Sequence, residues 1–240
     1  MYVIAVLLVS VLGLLVIAQA IPVVQFIRLA RCWEPPSLPH DECPLATIVL
    51  ALRGDDPFLK DSIHGLLNQD YPRYQVRIIV DSCEDPAWAV AHNILGDQCP
   101  DNVTLECLQH RLSTCGMKHS GLVQVIEFLD EDCEVVAFLD ADAVPHASWL
   151  RELVAPIVKD GASATTGQRW FMPTDVNVAS LVRHIWNSGT VAGMATRSIW
   201  GGCYALRTEI IRKIDLVATR TSLLCGLPIQ CFLLTLYSEV

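Results

Sequence analysis

Apolar residues are distributed in three regimes along this 240-residue chain. Residues 2–21 carry no charge and are rich in Val, Leu and Ile. Residues 44–217 alternate short apolar runs with stretches of helical period, and residues 221–238 are again uncharged. In the middle regime, Thr47–Leu52, Gln75–Val80, Val103–Cys107, Val135–Leu139 and Ala162–Trp170 read as strands, with a further short strand after Gly201-Gly202. Between them the spacing predicts helices. Asp55 or Asp56 caps one with Pro57 at its first position and Leu59, Ile63, Leu66 and Leu67 on one face. Others cover Pro86–Leu95, Lys118–Asp130 (Leu122, Val125, Ile126 and Leu129 inward), His146–Val158 and Asn177–Asn187, with a last one capped by Thr208. Strand and helix in alternation imply an α/β fold with a mainly parallel central sheet flanked by helices.

The two ends differ from this middle. Tyr2–Ile21 is long enough to cross a bilayer as one helix. Arg28 and Arg31 follow it and no basic residue precedes it, so a single-pass N-terminal anchor leaves the rest of the chain cytoplasmic. The competing reading is a cleaved signal peptide ending at Ala18-Gln19-Ala20. Glu34–Pro39 then forms a stiff linker. The expected organisation is an anchor over 1–24, a juxtamembrane linker over 25–43, an α/β domain over 44–217 and an apolar tail over 218–240. The tail, broken at Gly226-Leu227-Pro228, is long enough to begin a membrane segment.

A net charge of −9 argues against nucleic acid as a partner, because phosphate binding requires a basic face. The ten cysteines form no C-x-x-C pair and read as reduced, mostly buried thiols of a cytosolic domain. A secreted, disulfide-bonded binding module is the alternative, and it requires signal cleavage and oxidised cysteines. On a cytosolic domain the sequon Asn102-Val103-Thr104 is a chance match.

Candidate chemistry concentrates after the strand Val135–Leu139. Asp140 and Asp142 are separated only by Ala141, and in an extended backbone both would face one side. Two carboxylates there suit Mg2+ or Mn2+, ions that keep positions open for substrate phosphate oxygens. The bland alternative is a solvated turn. Its place at the strand edge where open α/β sheets bind ligands favours the metal.

From about Leu45 to Asp215 the chain resembles glycosyltransferase family 2, in its membrane-anchored, ceramide-glucosyltransferase-like flavour. The resemblance is carried by Thr47–Gly54, Ser62–Pro72, Val80-Asp81-Ser82, Val135–Trp149 and Gly201–Arg207. It implies a GT-A fold and inverting transfer of a sugar from a nucleotide-diphospho-sugar, a UDP-sugar above all, to a lipid or glycan acceptor. Residue by residue, it implies that Arg53 borders the base and Asp81 contacts the uracil or ribose. Lys118 lies near the diphosphate, Asp140 and Asp142 hold the metal, and Gly201 and Gly202 form the acceptor side. The family's general base falls in an acidic pair well after the Gly-Gly turn, whereas this chain offers only Asp215, close to the turn, before Glu239. Nor is there a Q-x-x-R-W motif, since Gln168-Arg169-Trp170 is contiguous and precedes the turn. The expectation is a truncated or frameshifted product. Its alternative activity is that of a catalytically inactive nucleotide-sugar-binding fragment.

Overall fold

The computed structural model describes residues 2–31, 34–96, 99–113, 115–167, 177–192 and 201–213. Asp215, Gln168-Arg169-Trp170 and the tail 218–240 lie outside them. The chain divides into two compact units, one of residues 1–35 and 170–198, the other of residues 36–169 and 199–240.

The larger unit is built on six strands. In chain order its elements are β1 (Ala46–Leu52), α2 (Leu59–Leu67), β2 (Tyr74–Val80), α3 (Pro86–Leu95) and β3 (Val103–Cys107). They continue with α4 (Met117–Glu127), β4 (Val135–Asp140), α5 (Trp149–Lys159), β5 (Ala164–Thr166), β6 (Cys203–Arg207) and α7 (Thr208–Lys213). The strand order is β3-β2-β1-β4-β6-β5. β1 to β4 run parallel, while β6 is antiparallel to both β4 and β5. The sheet is therefore parallel at its centre and mixed at one side.

Period-two alternation sorts the strand residues between two cores. Ile48, Leu50, Val76, Ile78, Ala137 and Leu139 pack with Leu59, Ile63 and Leu66 of α2 and Leu150 and Val154 of α5. Val49, Ile79, Val136 and Phe138 pack on the other face with Leu122 and Val125 of α4 and Ile211 of α7. Burial on both faces explains why β1 and β4 read as unbroken apolar runs.

Several helices start later than their spacing implies. α2 begins at Leu59 rather than Pro57, because Asp56 receives the Phe58 N–H on its side chain at 2.8 Å and the Leu59 N–H on its carbonyl at 3.0 Å. α5 begins at Trp149 and accommodates Pro156 within its last turns. The described part of the strand expected over Ala162–Trp170 reduces to Ala164–Thr166.

The smaller unit contains α1 (Tyr2–Arg31) and α6 (Val178–Ala192), which pack on one another. The backbone of α1 is helical over 30 residues. Its side chains are described without interruption only from Tyr2 to Ala18, and among the described residues no helix is long and apolar enough to cross a membrane.

Candidate active site

Three strand ends create the site. In the parallel register Leu52 lies beside Val80, and Ala51 beside Asp140. Arg53, Asp81 and Asp140 therefore emerge along one carboxyl edge of the sheet. The chain winds outward through β2 and β3 and then returns to the opposite side of β1 as β4. That reversal opens a crevice between β1 and β4, where open α/β sheets take ligands.

On the β2 side, the Asp81 N–H donates to the Leu52 carbonyl at 3.3 Å, holding the two strand ends together. The Asp81 side chain is only 12% exposed, and Arg53 Nε approaches its Oδ2 at 3.6 Å, an ion pair beyond hydrogen-bond reach. Oδ2 is buried and accepts no hydrogen bond. Burial raises the Asp81 pKa above the usual carboxylate value, Arg53 and Arg111 oppose the rise, and neighbouring Asp85 adds to it. A buried acceptor without a donor is costly unless something supplies the donor.

Asp85 is the residue here that the pattern reading passed over. Its Oδ1 accepts the Gly54 N–H at 2.8 Å and the Ala87 N–H at 2.9 Å. One carboxylate thus caps α3 and ties down the loop after Arg53, where Gly54 sits at φ 74°. The signal was legible as an acidic N-cap followed by Pro86 at the first helical position. Next to it, Cys83 is disulfide-bonded to Cys107 at the end of β3, with Cα atoms 5.6 Å apart. This corrects the expectation of uniformly reduced cysteines, since spacing alone carries no pairing information. Cys43, Cys99, Cys115, Cys133 and Cys203 are free thiols.

On the β4 side, Asp140 is half-exposed and points to the α4 face, where it forms an ion pair with Lys118. Its N–H donates to the Gly202 carbonyl at 2.9 Å, because antiparallel β6 begins beside the end of β4. Lys118, Asp140 and the Gly201-Gly202 turn are thereby brought together. Asp142 is placed differently from its expectation. β4 ends at Asp140, the Ala143 N–H returns to the Asp140 carbonyl at 3.1 Å, and Asp142 occupies the resulting turn with an exposed side chain. The two carboxylates are thus not alternate residues of one extended strand.

The turn is held by the segment Ser62–Pro72. A Cβ on Gly65 would stand 2.7 Å from the Pro145 carbonyl oxygen, so α2 touches the loop after Asp142 only because residue 65 lacks a side chain. Gln69 donates to the carbonyls of Gly65 at 2.7 Å and His146 at 3.0 Å, and accepts the Leu150 N–H at 3.0 Å, capping α5. The Asp70 N–H donates to the Ala147 carbonyl at 2.7 Å, and buried Arg151 pairs with the Asp70 carboxylate at 3.2 Å. The Gln-Asp-Tyr-Pro turn is therefore a clamp on the loop that carries Asp142.

Asp140 and Asp142 can offer carboxylate oxygens to a metal. Among the described residues no group of three or more His, Cys, Asp or Glu side chains could hold one. A donor set of two carboxylates fits a hard divalent cation whose other positions are filled by phosphate oxygens and water.

A mainly parallel α/β sheet with Asp81 and Asp140 beside its switch point places these residues at the edge where open sheets take ligands. Comparison with known proteins identifies the family. Residues 47–213 match the family described as glycosyl transferase family 2, and the chain belongs to that family. A search of curated proteins finds no match. Among solved structures, the chain is similar to the mannosyltransferase PcManGT from Pyrobaculum calidifontis in complex with GDP-Man and Mn2+. The TM-score is 0.54 at 18% identity, over 81% of this chain and 54% of that one. It is also similar to glucosyl-3-phosphoglycerate synthase from Mycobacterium tuberculosis in complex with Mn2+, UDP and phosphoglyceric acid. There the TM-score is 0.50 at 14% identity, over 74% of this chain and 63% of that one. The chain spans between about half and two thirds of the length of these structures, and the likeness establishes the GT-A fold.

Proposed function

We propose that this chain binds a UDP-sugar at the β2-β1-β4 edge and transfers the sugar, with inversion, to a lipid or glycan acceptor. The observation that carries the proposal is the buried Asp81 Oδ2, left without a donor beside Arg53. A pyrimidine base bears an N–H that satisfies such an atom, and a base held there fixes where the sugar lies. At the β4 end Lys118, now paired with Asp140, would turn to the diphosphate, and Asp140 and Asp142 would hold Mg2+ or Mn2+. The ion, when bound, neutralises charge on the departing diphosphate. Gly201 and Gly202, held beside Asp140, form the acceptor side, where the missing side chains suit close approach to backbone.

Under this proposal α1 anchors the chain in a membrane, with Arg28 and Arg31 keeping the catalytic domain on the cytoplasmic side. The Cys83–Cys107 disulfide favours an oxidising compartment instead, so protease protection and free-thiol counting on sealed vesicles decide the orientation.

A second reading is donor binding without transfer. Among the described residues after Gly202 the only acid is Glu209, which is exposed and paired with Lys213 at 2.7 Å. No general base for the acceptor hydroxyl is thereby assigned, and Asp215 lies outside the described residues. Calorimetric titration of UDP with Mn2+ and with EDTA, alongside UDP release from UDP-sugars, tests both readings. Mn2+-dependent binding with UDP release supports transfer. Binding alone supports the inactive reading, and no binding overturns both.

A further inference from the structure

Helix α6 is folded inside out. At 100° per residue Val178, Leu181, Val182, Ile185 and Trp186 share an arc of roughly 140°, wide enough for the buried stripe of an amphipathic helix. All five are exposed, Ile185 at 68% and Trp186 at 79%. Among the described side chains of this helix, 178–186, the less exposed positions are polar, Ser180 and His184. The helix is nonetheless well begun. The Ser180 N–H donates to Asn177 Oδ1 at 2.9 Å and the Asn177 N–H to Ser180 Oγ at 3.1 Å, a reciprocal cap.

Its neighbour α1 has the same property on every side. Each described side chain from Tyr2 to Ala18 is exposed, and none is charged. Among the described residues of this unit, none is buried. Two helices whose described exteriors are apolar, with no core among the described residues, are not a stable arrangement in water. A protein partner covers one face of a helix, whereas residues 2–18 of α1 are uncharged and exposed on every side, a surface that lipid covers.

The geometry points to α6 as a membrane-surface helix. It lies in the plane of the bilayer beside α1, with Val178, Leu181, Val182, Ile185 and Trp186 among the outer acyl carbons. Trp186 suits that depth, where the indole ring is apolar and its N–H meets the headgroups. The inference rests on the proposal that α1 is inserted, and it is independent of the sugar chemistry.

The test is radiolytic hydroxyl-radical footprinting of the full chain in phosphatidylcholine liposomes, read by mass spectrometry. Phe58 and Phe128, 51% and 54% exposed, serve as water-facing references in the other unit. Corrected for intrinsic reactivity, Trp186 should be labelled about tenfold more slowly than these two, as expected for a side chain among acyl chains. Ile185→Glu should bring Trp186 labelling up to theirs, while α1 still resists extraction at alkaline pH. Labelling of wild-type Trp186 in proportion to its exposure overturns the inference. So does protection that vanishes when the protein is diluted with excess lipid, which would mark a second copy of the chain as the cover. Extraction of the wild type at alkaline pH removes the anchor and the inference together, but leaves UDP binding to stand or fall alone.

Discussion

The two ends of the site differ in how they hold charge. At the β2 end Asp81 is mostly covered, its pKa is raised, and its buried Oδ2 has no donor. At the β4 end Asp140 is half-exposed and already paired with Lys118, and Asp142 is exposed in a turn. The first arrangement is rigid and suits one neutral, planar donor of fixed geometry. The second can exchange partners at small cost, since an exposed ion pair contributes at most about 1 kcal/mol. Under the proposed function, the contrast divides recognition at the β2 end from charge handling at the β4 end, with β1 between them.

The largest effect expected at the β4 end comes from Asp142→Ala, which should remove Mn2+-dependent UDP binding by on the order of 100-fold or more. Calorimetry checks this, and unchanged affinity would take Asp142 out of the metal set. Binding with EDTA present should scarcely change, which separates this end from the other.

Asp81→Ala should weaken UDP binding by about 10- to 100-fold, the range for losing a buried hydrogen bond to a charged acceptor. Asp81→Asn should act in the opposite sense on the fold. In the native state the Asp81 pKa lies above its unfolded value, so native protein binds that proton more tightly. The folded state therefore loses stability as pH rises from the unfolded pKa through the folded one. Replacing the carboxylate with a neutral amide should raise the urea midpoint at neutral pH, and a lowered midpoint would contradict the burial account. UDP binding should fall on acidification at a pH above that of an ordinary aspartate, and Asp81→Asn should flatten that profile.

Smaller effects should come from the supporting residues. Gly65→Ala drives a methyl against the Pro145 carbonyl and should cost about 1–3 kcal/mol in urea unfolding, with weaker Mn2+ dependence. Smallest is Asp85→Ala, which removes a cap worth about 1 kcal/mol. It should also reduce UDP affinity a few-fold by freeing the loop after Arg53. An affinity unchanged at the same loss of stability would make Asp85 a helix cap only.

Much of this was legible in the sequence, for identifiable reasons. α3 and β3 lie over the residues expected of them, Pro86–Leu95 and Val103–Cys107, because both are short local patterns that tertiary packing leaves unchanged. β4 followed from five apolar residues buried on both faces. What escaped depends on contacts between distant segments. Nothing local announces that Gly65 is the space into which Pro145 fits, or that Gln69 caps α5. Asp142 was placed on an extended strand because alternation ignores the Asp140–Ala143 turn. The antiparallel course of β6 and the Cys83–Cys107 pairing are likewise set by tertiary packing.

The most direct measurement titrates uridine and UDP in parallel into the wild type, Asp81→Ala and Asp142→Ala, each with Mn2+ and with EDTA. The division of labour predicts that uridine affinity depends on Asp81 and is indifferent to Mn2+ and Asp142, while the extra affinity of UDP requires both of the latter. Uridine binding that survives Asp81→Ala, or a Mn2+ dependence that survives Asp142→Ala, would contradict it.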